Sequence, residues 1–319
     1  MTKGLVTVFG GSGFIGKHVV RALVKGGWRV RIPMRRPHTG QDLKVIGNVG
    51  QVQLVQANLR FKTSVERAVE GSDAVINLVA LLFESGRQSF NALHINGATH
   101  IAEACASRGI KNVVQVSAIG ADAESDSDYA RTKAEAEAIV QDLVPTVDVM
   151  RPSIVFGPED AFFNRFAQMA QLAPALPLIG GGDTKFQPVY VGDVAEAIAK
   201  VIGRGTTGDT YELGGPRIYS FKELMQLMLD TIGRKRLLLP LPWMVTNGLG
   251  FVGELSGALP FIDPFLTRDQ VTNLKSDNVV SDDVKSFEDL GITLETVESV
   301  LPTYMGKYRK YGQFHEKSA

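Results

Sequence analysis

Cysteine is nearly absent: Cys105 is the only one in 319 residues. One thiol cannot close an internal disulfide or build a cysteine-based metal cluster. A reducing, cytoplasmic-side setting and no metal site are therefore expected. Neither charge is in excess, with Lys+Arg and Asp+Glu at 34 each. A balanced chain lacks the electrostatic footprint of a nucleic-acid binder, so any contact with an anionic surface must come from a local patch. A long hydrophobic run is also lacking. The most apolar segment, residues 237–262, has Glu254 as its single ionisable side chain, but Pro240, Pro242 and Pro260 punctuate it. A spanning helix needs roughly 20 predominantly apolar residues, and the glycine-rich stretch between these prolines is too short and too polar to be one. No secretory hydrophobic core and no Arg-rich presequence open the chain, and the initial Met is read as the absence of a removed leader.

What is present is an alternation. Apolar runs "GLVTVFG", "RVRIPMRR", "QVQLVQANL", "AVINLVAL", "NVVQVSA" and "VDVMRPSIVFG" are separated by segments with apolar residues at helical spacing. The fourth run is apolar nearly throughout, as a parallel strand covered on both faces should be. The pattern predicts an α/β fold, a doubly wound parallel sheet of the Rossmann type, over residues 1–155. A returning segment is expected near residues 190–215. Residues 156–319 change character and are expected to form a smaller C-terminal lobe for substrate or partner docking.

"GGSGFIG" follows the first strand and opens the first helix, giving G-x-x-G-x-x-G at Gly10, Gly13 and Gly16. Gly10 permits the tight turn, Gly13 lets a pyrophosphate approach the backbone, and Gly16 lets helix and strand pack closely. The unpaired N–H groups of the helix N-terminus then face the phosphates, so Gly10, Ser12, Gly13, Phe14, Ile15 and Gly16 form a candidate cradle. NAD sites usually carry an acid at the end of the second strand. Here that strand ends "PMRRP", and Arg35 with Arg36 can grip a 2′-phosphate by charge-assisted bonds. NADPH is the expected cofactor. Asn58 and Leu59, after the third strand, either flank the adenine or cap the strand end.

Tyr129 and Lys133 lie four apart in a helical run, which puts a phenol and an ammonium on one face. The glycine loop, "NLVA", "VSA" with Ser117, and Tyr129-x-x-x-Lys133 together resemble the extended or atypical short-chain dehydrogenase/reductases. The resemblance implies that Ser117, Tyr129 and Lys133 form the catalytic set. Tyr129 would be the acid/base, Lys133 would lower its pKa and hold the nicotinamide ribose, and Ser117 would orient a carbonyl. An adjacent ammonium does favour a phenolate. The resemblance also implies that Leu78, Val79, Ala80, Pro152 and Ser153 line the cofactor.

Several longer pieces narrow it. "RIPMRR", "GQVQLVQANLR", "AVINLVALLFE", "KFQPVYVGDVA" and "DPFLTRDQV" resemble the NADPH-binding accessory subunits of respiratory complex I (NADH:ubiquinone oxidoreductase). Such subunits hold NADPH tightly where the peripheral and membrane arms join, and they support assembly and stability without passing electrons. The resemblance implies the other subunits of complex I as partners. It also implies a peripheral place on the cytoplasmic face of a bacterial inner membrane, or on the matrix side in a mitochondrion. Tyr129 and Lys133 would then be cofactor ligands with vestigial chemistry. The alternatives are a free NADPH-dependent reductase or sugar-nucleotide epimerase or dehydratase, and a redox-sensing NADPH binder.

The apolar segment keeps two readings, the core and lid of a substrate lobe or a surface that docks on a partner subunit or the lipid interface. Arg234, Lys235 and Arg236 precede it, where anionic headgroups would lie. His94 and Asn96 are expected to cap or pack a helix. Cys105, Met225 and Met228 are expected to face the core.

Overall fold

The computed structural model describes residues 3–257 and 266–312. The motif "DPFLTRDQV" at residues 263–271 therefore lies partly outside the described residues, as does the end of the apolar segment. Along the chain the elements run β1 (Lys3–Phe9), α1 (Phe14–Lys25), β2 (Trp28–Met34), β3 (Val52–Gln56), α2 (Lys62–Ala68), β4 (Ala74–Asn77), α3 (Asn96–Ser107), β5 (Asn112–Val116), α4 (Asp128–Leu143) and β6 (Asp148–Pro152). They continue with β7 (Val155–Phe156), α5 (Phe163–Leu172), β8 (Ala175–Ile179), β9 (Lys185–Phe186), β10 (Val189–Tyr190), α6 (Val191–Arg204), β11 (Thr210–Leu213), β12 (Tyr219–Ser220), α7 (Phe221–Ile232), β13 (Leu237–Leu241), α8 (Trp243–Gly257), α9 (Arg268–Asn273) and α10 (Val297–Met305).

Two compact units result. One holds the described residues of Met1–Pro152, Gly192–Leu213 and Ser281–Ile292; the other holds those of Ser153–Val191, Gly214–Val280 and Thr293–Ala319.

The first unit is built on a seven-stranded sheet in the order β11-β6-β5-β4-β1-β2-β3, with every pairing parallel. The strand order reverses between β1 and β4, the switch point beyond whose carboxyl ends ligands bind in such sheets. Val6, Val8, Val30, Ile32, Val75, Ile76 and Val114 are fully buried, which explains why these strands read as continuous apolar runs.

β4 is shorter than the run "AVINLVAL" predicts. The Asn77 side chain ends it, because its Oδ1 accepts the Val79 N–H at 3.1 Å while its Nδ2 donates to Gln115 Oε1 at 2.9 Å. That Asx turn lifts Leu78, Val79 and Ala80 off the sheet and into the loop above it.

At the other edge, the buried Asp148 carboxylate accepts the N–H groups of Thr207, Gly208 and Asp209 at 2.9, 2.8 and 2.9 Å. This brings β11 alongside β6. Residues 281–292 then run along β11. Ser281 N–H donates to Glu212 Oε2 at 2.8 Å, and Lys285 Nζ pairs with Asp209 at 2.8 Å.

The second unit centres on an aromatic core. Phe162, Phe163, Phe166, Phe186 and Phe221 meet mostly edge to face, with ring centroids 5.1–6.4 Å apart. Each fully buried side chain of this size contributes roughly 1.5–3 kcal/mol. Met225 and Met228 on α7 join this core. α7 starts at a capping box formed by Ser220 and Glu223 and stops at Gly233, whose φ of +62° suits glycine.

The segment "LLLPL" is a strand, which its apolar run alone does not reveal. β13 pairs in parallel with β8 from Leu237↔Ala175 to Leu241↔Ile179. Among the described residues no helix is long and apolar enough to cross a membrane.

Candidate functional site

The glycine loop sits at the carboxyl end of β1, beside the switch point. Gly10 has φ +80°, and a Cβ there would meet the Leu78 carbonyl carbon at 3.0 Å. At Gly16 a Cβ would lie 2.1 Å from Gly10 O and 2.7 Å from Gly11, so only glycine lets α1 start this close to the strand. Gly13 is the N-cap of α1 and provides no side-chain cap. The first-turn N–H groups of Phe14, Ile15 and Gly16 are thereby left to an external acceptor. Ser12 and Gly13 are exposed at the loop's rim. The loop has what a diphosphate needs: close backbone approach, uncapped donors and no obstructing side chain.

Arg35 and Arg36 follow β2 and are exposed. Arg35 Nη1 donates to Gln88 Oε1 at 3.2 Å, which joins the strand end to the loop after β4. Asn58 makes a local turn: its N–H donates to Ser64 Oγ at 2.9 Å, and its Oδ1 accepts the Arg60 N–H at 3.2 Å. Leu59 is buried in the helix-side core with Val65, Ala98 and Ile101. Asn58 thus holds the turn after β3, and Leu59 packs in the core.

Ser117 follows β5, and Tyr129 and Lys133 lie on the first two turns of α4. That helix begins at Ser127, whose side chain accepts the Ala130 N–H, with Asp128 in its positive first turn. Lys133 is 2% exposed, and its Nζ donates to the Val116 carbonyl at 3.0 Å, one residue before Ser117. Burial pulls its ammonium down to about 8, while Glu137 works the other way. Ser117 is 5% exposed, and its Oγ has no hydrogen-bond partner among the described residues. A buried hydroxyl without a partner costs about 1–3 kcal/mol, so such an atom points to an external group. The Tyr129 ring stands edge-on to Phe90 and His94, with centroids 6.0 and 5.6 Å away.

Pro152 ends β6, and its carbonyl accepts the Ile119 N–H at 3.1 Å. The Ser153 hydroxyl donates to Asn278 Oδ1 at 2.6 Å.

Residues 6–214 match the NAD dependent epimerase/dehydratase family. The chain belongs to that family. Its family cofactor is thus a nicotinamide dinucleotide, and the cradle above fits one. Among curated relatives of this epimerase/dehydratase chain is the Arabidopsis thaliana protein named NADH dehydrogenase [ubiquinone] 1 alpha subcomplex subunit 9, mitochondrial. It is 35% identical, over 97% of this chain and 79% of its own length. The Neurospora crassa NADH-ubiquinone oxidoreductase 40 kDa subunit, mitochondrial, is 31% identical over 95% of this chain and 79% of its own. Among solved structures, a dTDP-glucose 4,6-dehydratase from Bacillus anthracis in complex with NAD superposes with a TM-score of 0.71. It covers 96% of both chains at 18% identity, a likeness of fold.

Two sets of residues at this family site escaped the sequence analysis as functional residues. His94 and Thr132 lie buried against Tyr129 and Lys133. The Arg151 guanidinium on β6 holds Glu137 of α4 at 2.6 Å and lies 3.6 Å from Glu212 of β11. This ion triad clamps the helix that carries Tyr129 and Lys133 onto the sheet. One signal was available: Thr132 lies three residues after Tyr129, so the two share a helix face.

Proposed function

We propose that this chain is an accessory subunit of respiratory complex I that holds NADPH tightly and supports assembly and stability, without turnover. Near full-length alignment with subunits of that name carries the reading. The dehydratase likeness at 18% identity speaks for the fold alone, whereas here 97% of the chain aligns at 35% identity. In this reading Gly10, Ser12, Gly13, Phe14, Ile15 and Gly16 take the diphosphate. Arg35 and Arg36 select the 2′-phosphate, and Leu78, Val79, Ala80, Pro152 and Ser153 line the cofactor. Tyr129 and Lys133 hold the nicotinamide ribose.

The second unit offers apolar surface for the partner subunits. Leu237 is 68% exposed and Met244 88%, with Leu239, Val245 and Phe251 also exposed. Peripheral attachment, on the cytoplasmic face of a bacterial inner membrane or the matrix face of a mitochondrial one, follows from this reading. The test is migration of the chain with a large NADH-oxidising assembly from mildly solubilised native membranes, with NADPH recovered in the band. A free soluble peak without cofactor would end the proposal.

One observation favours a second reading, a free NADPH-dependent reductase or epimerase. The unpartnered Ser117 Oγ is where a substrate carbonyl could accept a hydrogen bond. Bound NADPH would supply a hydride. The chain's own part would be the Ser117 bond to the carbonyl and a proton from the Tyr129 phenol. Carbonyl-dependent NADPH oxidation that disappears in Tyr129→Phe would establish this reading.

A further inference from the structure

We infer that His94 is a positioning residue for the dinucleotide site, clamping the loop after β4 to the first turns of α4 and so holding Leu78–Ala80 in place opposite Tyr129 and Lys133. The inference rests on the proposal that these residues hold NADPH. It adds a residue with no contact of its own to the cofactor.

The geometry leaves the ring one consistent role. His94 is 2% exposed and sits in the turn of π-helix, Asn91–Ile95, that precedes α3. Its Nε2 lies 2.9 Å from the Leu81 backbone nitrogen. Leu81 can only donate there, so Nε2 is the acceptor and the ring proton is on Nδ1. Nδ1 is 3.1 Å from Thr132 Oγ1, which itself donates to the Asp128 and Tyr129 carbonyls at 2.8 and 3.1 Å. The chain Leu81 N–H, His94, Thr132, helix backbone is thus complete, with every donor matched to an acceptor. The ring also stacks on Phe90 at 5.2 Å and packs against the edge of Tyr129. The loop runs from the end of β4 to Leu81, and α4 carries the Tyr129–Lys133 pair. His94 touches both.

A cationic ring would break this arrangement twice. The second N–H would confront the Leu81 N–H, and its charge would face Lys133. Burial and Lys133 both push the imidazolium down, to about 3, consistent with a permanently neutral clamp.

The test uses the full chain and bound NADPH, followed by the fluorescence of its reduced nicotinamide. His94→Phe keeps the stack and removes both hydrogen bonds. Thr132→Val is nearly isosteric and removes only the α4 end, so it stays informative if the first variant does not fold. We expect NADPH to dissociate about tenfold faster from His94→Phe and several-fold faster from Thr132→Val. His94→Gln, which can restore one acceptor and one donor, should recover much of the loss. A purely structural histidine would lose stability without that rescue in the dissociation rate. Wild-type rates in both His94→Phe and Thr132→Val would overturn the inference. Wild-type protein that binds neither NADPH nor NADH would instead overturn the cofactor reading beneath it.

Discussion

Lys133 Nζ donates to the Val116 carbonyl oxygen at 3.0 Å, and this single bond fixes a buried ammonium at the rim of the sheet beside Ser117. Its folded pKa, about 8, lies below its ordinary 10.5. Between those values the unfolded chain binds more protons, so this group's contribution to stability rises with pH. Relative to Lys133→Met, wild-type protein should gain up to roughly 3 kcal/mol from about pH 7 to about pH 10.5. Denaturant unfolding of the two proteins across that range measures it. Parallel curves would show that Lys133 is not desolvated.

His94 titrates in the opposite part of the scale. Its folded pKa of about 3 lies below the ordinary 6.5, because of burial first and Lys133 second. The stability linked to neutral His94 is complete above pH 6.5 and is lost as pH falls toward 3. Wild-type protein should lose on the order of 3 kcal/mol more than His94→Phe between about pH 6.5 and about pH 4. Urea midpoints at both pH values decide it.

Buried Glu137 is hydrogen-bonded by two guanidinium nitrogens of the half-buried Arg151. Removing one partner strands a charge, at a cost of about 3–5 kcal/mol. Arg151→Ala, which strands Glu137 and Glu212 together, should destabilise the first unit by at least that much, whereas Glu137→Ala, which leaves Arg151 its contact with Glu212, should cost less. Thermal unfolding of the two variants is the measurement.

Gly16 and Gly27 make a matched pair of substitutions. Gly16→Ala drives a methyl into Gly10 O, so it should cost at least about 2 kcal/mol and abolish dinucleotide binding. Gly27 has φ +84° and no atom within 4 Å of an added Cβ. Gly27→Ala should cost only about 1 kcal/mol of backbone strain and leave binding intact. Calorimetric titration with NADPH separates the two.

Surface charges and apolar groups on the second unit should matter to assembly and little to folding. Leu237→Glu with Met244→Glu should shift stability by about 0.5 kcal/mol or less at each site, because both side chains are well exposed. Charge reversal at the exposed Lys235 is expected to do the same, whereas Arg234 and Arg236 also donate to the Tyr308 and Ala170 carbonyls at 2.8 and 2.7 Å, so reversing them should cost stability as well. Both variants should weaken co-purification with the membrane assembly in a quantitative pull-down, while NADPH binding persists.

Much of this was legible where the signal is local. Gly10, Gly13 and Gly16 stand in a strand–turn–helix unit whose requirements lie within a few residues of one another, and Tyr129 and Lys133 share a helix face by spacing alone. Residues whose partners are distant in sequence were not legible in that way. His94 bonds residues 13 and 38 positions away. β13 contains Pro240 and looks like an apolar loop until β8, some sixty residues earlier, is set beside it. Nothing in Ser281–Ile292 announces that it runs along β11, because that position is fixed by Glu212 and Asp209.

That last segment has a consequence for biosynthesis. The first unit is assembled from three separate stretches, the last of them ending at Ile292. A nascent chain emerging from the ribosome cannot complete it until Ile292 has been added, since domains generally fold as whole units. The outer edge of β11 stays bare until then, so truncated products ending before residue 281 should be the ones that chaperones retain.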